Sequence, residues 1–223
     1  MGLIAAVPKM KRPQRVKRSS GSTPMKGRPI TSEEFERILD KVPAVVLASR
    51  GPDPSKPATP LTPEDIAHNA AVVASWERLL WGLWWSGLRM GEAMEVYWDR
   101  TDRLCVDLSG RHAMLRIPAE LEKGHRDRML PLAPEFARFL EATPEHRRRG
   151  RVFRPLGKKG EVVTAERASQ LIAKIGKKAG VKVHTHATTG QVKHASAHDL
   201  RRSFRGAVVP SGDAPRPDAT HAT

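Results

Sequence analysis

Arg89, in the run Ser86-Gly87-Leu88-Arg89-Met90-Gly91-Glu92-Ala93, and the later run His198-Asp199-Leu200-Arg201-Arg202-Ser203-Phe204 hold the residues of this sequence best suited to chemistry. A phosphodiester under attack gathers charge on two non-bridging oxygens. Guanidinium groups meet that charge with paired, planar donors and stay protonated at any working pH. His198 and Arg201 are spaced i, i+3, so on a helix they share a face. An imidazole there can take or give a proton, or hydrogen-bond a phosphate oxygen. Lys123, beside Gly124, falls at the tip of an expected β-turn, from which a flexible ammonium can protonate a departing hydroxyl. The sequence holds a single tyrosine, Tyr97.

These groups need elements to hold them. Thr31, followed by Glu33 and Glu34, has the spacing of a capping box and predicts a helix with Phe35, Ile38 and Leu39 on one side. Prolines 52, 54, 57 and 60 mark a loop over residues 50–62. Thr62-Pro63-Glu64-Asp65 then starts a helix that runs to about Ser86 and stops at Gly87. Its Trp81, Trp84 and Trp85 fall at helical spacing and read as core. A second helix is expected over Met90–Trp98, with Tyr97 packed inside it. The period then changes. Leu104–Leu108, Ala113–Ile117 and Met129–Leu132, joined by glycine-bearing turns, predict a small three-stranded antiparallel sheet. Helices are expected again at Pro134–Ala142, at Thr164–Ala179 with a buried stripe of Ala168, Leu171, Ile172 and Ile175, and from His198 to Arg205. Arg89 and Arg201 then lie near helix starts, where free N–H groups favour phosphate. The fold class that follows is α+β, mostly helical.

The formal net charge of +15 over 223 residues points to a polyanionic partner, because clustered Lys and Arg gain affinity by displacing counterions from phosphates. Lys9, Lys11, Arg12, Arg15, Lys17 and Arg18 stand in a segment, residues 1–30, without acids, which reads as a disordered basic arm or interdomain linker. Lys174, Lys177 and Lys178 lie off or at the edge of the apolar stripe of their helix and add DNA-binding charge, and Arg147-Arg148-Arg149, Arg151 and Arg154 add further positive charge. Cys105 stands alone, which gives no disulfide framework and fits a reducing cytoplasm. No segment is apolar enough for a membrane helix, and the opening residues do not make a secretory signal. His184, His186, His194 and His198 are too loosely spaced for a metal site, so neither a metal nor another cofactor is expected. Residues 206–223 are proline-bearing and without periodicity, and they read as a disordered tail.

Residues 86–93, the run Glu122-Lys123-Gly124-His125-Arg126-Asp127-Arg128-Met129-Leu130-Pro131-Leu132 and the run Ala197–Phe204 resemble, in order and spacing, successive motifs of the tyrosine recombinase, or phage integrase, family. The resemblance covers about residues 30–205. It implies a recombinase-like catalytic domain over 31–205, acting on double-stranded DNA in the cytoplasm, associated with the nucleoid. It matches Arg89 and Arg201 to the two phosphate-holding arginines, His198 to the histidine paired with the second, Lys123 to the hairpin general acid, and Glu92 to an acid that supports the site. The family's nucleophile is a tyrosine beyond the HxxR motif, and nothing here matches it. His221 has no helical context and takes no role. The resemblance therefore implies a catalytic domain cut short at its C-terminus. It also fits a tail read out of frame, since a shift of one base lets the codons of Asp218-Ala219-Thr220 encode Met-Arg-His. Such a chain is expected to bind DNA without cleaving it, within a tetramer or beside an intact homologue, or else to be a degenerate product without function. Missing helices are expected to leave the Trp81–Trp85 face uncovered.

Overall fold

The computed structural model describes residues 27–47, 60–121 and 126–204. The arm cations from Lys9 to Arg18, Lys123, residues 50–59 of the proline loop and the tail 206–223 lie outside the described residues.

The first helix, α1 (Ser32–Asp40), begins with the expected reciprocal cap. The Glu34 N–H donates to the Thr31 hydroxyl at 3.2 Å, and the Thr31 N–H donates to the Glu34 carboxylate at 3.0 Å. Each bond satisfies a donor that the first turn leaves without a partner. A short helix, α2 (Val42–Val46), follows that the sequence does not announce. Its valines are poor helix formers, and it exists because Val42 and Val46 are buried where it packs on α3 (Pro63–Ser86) and α6 (Ala165–Lys178). Thr62 caps α3 through Asp65, and Gly87 ends it in the left-handed region, with φ 61°.

The helix expected over Met90–Trp98 is corrected. Only α4 (Met90–Met94) is helical, and Val96–Tyr97 form a strand, β1. Local spacing suits either state. The backbone is decided by distant partners: β1 pairs in parallel with β2 (Leu104–Asp107), the Val152 N–H donates to the Val96 carbonyl at 2.9 Å, and the Trp98 N–H donates to the Gly150 carbonyl at 2.9 Å. β2, β3 (Met114–Ile117) and β4 (Arg128–Pro131) are the three expected antiparallel strands, so the sheet runs β1-β2-β3-β4 with one parallel edge added. The chain continues through α5 (Pro134–Glu141), α6, a hairpin of β5 (Lys182–Thr185) and β6 (Val192–His194), and α7 (Ala197–Phe204). The hairpin was not expected. Its polar composition hides a packed side, where Val183 is buried and α6 approaches closely.

The core gathers on α3. Phe35 of α1 stacks on Trp84 at 4.5 Å and meets Trp81 edge-on at 4.8 Å, while Trp81 stacks on Trp85 at 4.4 Å. Phe139 of α5 covers Trp85 from the other side. The expectation of an uncovered Trp81–Trp85 face is therefore corrected: the three tryptophans are 9%, 6% and 7% exposed, because α1 and α5 supply the cover. The stripe expected on α6 is buried, with Lys174, Lys177 and Lys178 exposed beside it. Among the described residues no helix is long and apolar enough to cross a membrane.

Candidate active site

Two segments more than a hundred residues apart meet where α3 ends. The left-handed turn at Gly87 is packed by the last residue of α7. A Cβ placed on Gly87 would fall 2.5 Å from Phe204 Cδ1 and 2.8 Å from Cγ. Glycine is thus required twice, for its backbone conformation and for the space it leaves. Two residues on, Arg89 occupies the N-cap of α4.

One carboxylate joins the two segments. The Arg89 backbone N–H donates to Glu92 Oε2 at 2.7 Å, and Arg89 Nη1 donates to Glu92 Oε1 at 2.6 Å. From α7, Arg201 Nη1 donates to Glu92 Oε2 at 3.4 Å. Glu92 thereby offsets the repulsion between two guanidinium groups and fixes where they stand. It does not use them up. Arg89 keeps 69% of its side chain exposed and Arg201 34%, so each has donors left for an anion arriving from solvent. Partial burial disfavours the charged form of Glu92, but the Arg89 amide and guanidinium, together with Arg201, outweigh it, and the carboxyl is held below the ordinary range.

His198 lies one turn before Arg201 in α7 and is exposed. The structure thus brings Arg89, Glu92 and Arg201 into contact and places His198 on the helix that carries Arg201; Lys123 is outside the described residues. Tyr97 belongs to the sheet. It is half-buried on β1, its hydroxyl accepts from Arg151 Nε at 3.1 Å, and its ring lies under the guanidinium groups of Arg100 and Arg151 at 5.3 and 5.7 Å. Among the described residues no group of three or more His, Cys, Asp or Glu could hold a metal ion.

Sequence reasoning missed Asp199. Its carboxylate is fully buried and accepts from the Ser196 N–H and hydroxyl at 3.1 and 2.6 Å. Ser196 and Asp199 have the three-residue spacing of a capping box, so the signal was present. What the site could do follows from its parts: two guanidinium groups fixed on one carboxylate, with donors still exposed, suit an anion with two oxygens such as a phosphodiester, and an imidazole lies on the helix that carries Arg201.

No protein-family model and no curated protein matches the chain. Solved structures do. A XerA recombinase is similar at 16% identity over 85% of this chain and 53% of that one, with a TM-score of 0.42. A lambda integrase (75–356) dimer bound to a COC′ core site is similar at 15% identity over 81% and 50%, with a TM-score of 0.43. A XerH site-specific recombinase bound to palindromic difH substrate in a post-cleavage complex is similar at 18% identity over 85% and 43%, with a TM-score of 0.43. This chain spans about half the length of those chains.

Proposed function

We propose that this chain holds the backbone of double-stranded DNA in a tyrosine-recombinase-type site and, as its sequence stands, does so without cutting it. The observation that carries the reading is the single Glu92 carboxylate shared by Arg89 and Arg201. A chance pair of surface arginines would repel. These two are held side by side with donors still exposed. In this reading Arg89 and Arg201 take the non-bridging phosphate oxygens, while His198 and Lys123 are the residues that in a cleaving site of this type would assist proton transfer and protonate the leaving hydroxyl. Residues 31–205 form the catalytic body. Lys174, Lys177 and Lys178 of α6, with Lys9, Lys11, Arg12, Arg15, Lys17 and Arg18 of the arm 1–30, neutralise neighbouring phosphates. Assembly on DNA is with further copies or with an intact homologue.

In this reading none of the residues of this sequence supplies the attacking tyrosine. Tyr97 is the only tyrosine in the sequence, and its hydroxyl is engaged by Arg151. Binding without cleavage would make the chain an occupant of recombination sites, able to compete with a competent recombinase.

The test measures binding to a short fluorescent duplex at several salt concentrations. Arg89→Ala and Arg201→Ala each remove a charge-assisted hydrogen bond to phosphate. Each substitution should cost about 1.5–3 kcal/mol, or roughly ten- to a hundredfold in affinity, and lower the salt slope by about 0.9. If neither variant binds more weakly than Arg154→Ala, at an exposed cation outside the trio, the phosphate site is wrong. A covalent adduct trapped on a suicide duplex would refute the second half of the proposal.

A further inference from the structure

α7 carries two sets of residues in alternation. His198 and Arg201 are on the side that reaches Glu92. Asp199 and Ser203 are buried behind them, at 0% and 4% exposure, with Arg202 beside them. A carboxylate taken wholly out of water is tolerated only with cations and donors around it. Asp199 has both. Besides the two Ser196 bonds, Arg202 Nη1 donates to it at 2.6 Å, and Lys193 Nζ, reaching over from β6, lies 3.2 Å away. These partners sit before, within and beside α7, so together they fix its rotation about its own axis.

A strap closes over this group. Residues 27–30, read from composition as part of a linker, are packed against the back of α7. Gly27, with φ 131°, lies so close that a Cβ would run into the Arg202 guanidinium and the Asp199 carboxylate, and would come within 3.2 Å of Lys193 Nζ. The Ile30 N–H donates to Ser203 Oγ at 2.9 Å, and that hydroxyl donates to the Asp199 carbonyl at 3.0 Å. Ile30 itself is in the core. Arg28 pins the strap at both sides, donating to Glu34 Oε2 at 2.7 Å and to the Lys182 carbonyl at 2.9 Å.

We propose that Asp199, covered by Gly27 and braced through Ser203, is a positioning residue that sets the rotation of α7 and thereby keeps Arg201 in register with Glu92 and Arg89. Rotation is the motion that matters. Arg201 touches Glu92 at 3.4 Å, already a long bond, so a small turn of the helix parts them. The strap acts on α7 from the side opposite the DNA-facing residues, and it acts through Asp199 without touching the phosphate. The inference rests on the reading of Arg89 and Arg201 as a phosphate clamp.

Gly27→Ala tests it, measured for duplex binding in the wild-type chain and in an Arg201→Ala background. If Gly27 works through Arg201, the substitution weakens binding about two- to tenfold in the wild-type chain, the size of one hydrogen bond, and by less than about twofold when Arg201 is gone. Equal losses in both backgrounds overturn the proposal, since general damage to the fold would not depend on Arg201. Should Gly27→Ala fail to fold, Ser203→Ala carries the same cycle, removing only the hydroxyl between Ile30 and Asp199. Amide exchange over 197–204 separates the two readings. If Arg201→Ala leaves wild-type binding unchanged, the clamp fails, and the positioning role stands on faster α7 exchange in the strap variant or falls on unchanged exchange.

Discussion

Replacing Gly87 by alanine tests whether the two arginine-bearing segments meet as described. Two costs arise at once. An L-residue in the left-handed region loses about 1–2 kcal/mol. The new methyl would also stand 2.5 Å from Phe204 Cδ1, well inside van der Waals contact, and relieving that overlap costs about 1–3 kcal/mol. The sum, about 2–5 kcal/mol, is a large part of the stability of an ordinary domain. Phe204 separates the two terms. In a Phe204→Ala background the ring is gone and only the Cβ contact at 3.1 Å is left, so Gly87→Ala should cost little more than its conformational share, about 1–2 kcal/mol. Urea unfolding of the wild type, both single variants and the double variant measures the coupling, expected at about 1–3 kcal/mol. Equal cost of Gly87→Ala in both backgrounds would show that Phe204 does not pack on this turn, and the meeting of α3 with α7 would have to be redrawn. A cost under about 0.5 kcal/mol would remove the left-handed turn as well.

Gly176, inside α6, gives a contest of opposite signs. Helix propensity alone favours Gly176→Ala by about 1 kcal/mol, but the methyl would stand 2.9 Å from the Ala195 carbonyl carbon and closer still to its oxygen, and backbone cannot turn aside. Net destabilisation is expected in urea unfolding, and a stabilised variant would contradict the close approach of α6 to residue 195. Glu34 predicts a pH dependence. Its hydrogen bond to Arg28 holds the carboxyl below the ordinary range, against burial and with help from the Thr31 N–H, so its contribution is present above the unfolded value near 4.3 and is lost as pH falls through the lowered folded value. Glu34→Gln should cost about 1 kcal/mol at pH 7, limited by the exposure of Arg28, and the gap to wild type should close as pH falls below the ordinary carboxylate range. A gap that stays constant with pH would count against it.

Much of this molecule is written locally. The Thr31 and Thr62 caps, the Gly87 stop, the stripe of α6 and the three antiparallel strands each depend on residues within a few positions of one another, and side-chain spacing reports them directly. The sequence likewise determined which residues could serve a phosphate, because guanidinium and imidazole chemistry belongs to the residue type. Only tertiary structure decided the rest. β1 is a strand because Leu104–Cys105 and residues 150–152 take its backbone bonds, and α2 is a helix because α3 and α6 bury its valines. The same holds for the site: Glu92 binds Arg89 by local spacing, but it reaches Arg201 because α7 packs along α3, with Phe204 on the turn at Gly87. Spacing along the chain carries information over a few residues, whereas bringing residue 92 to residue 201 is the work of the packed core.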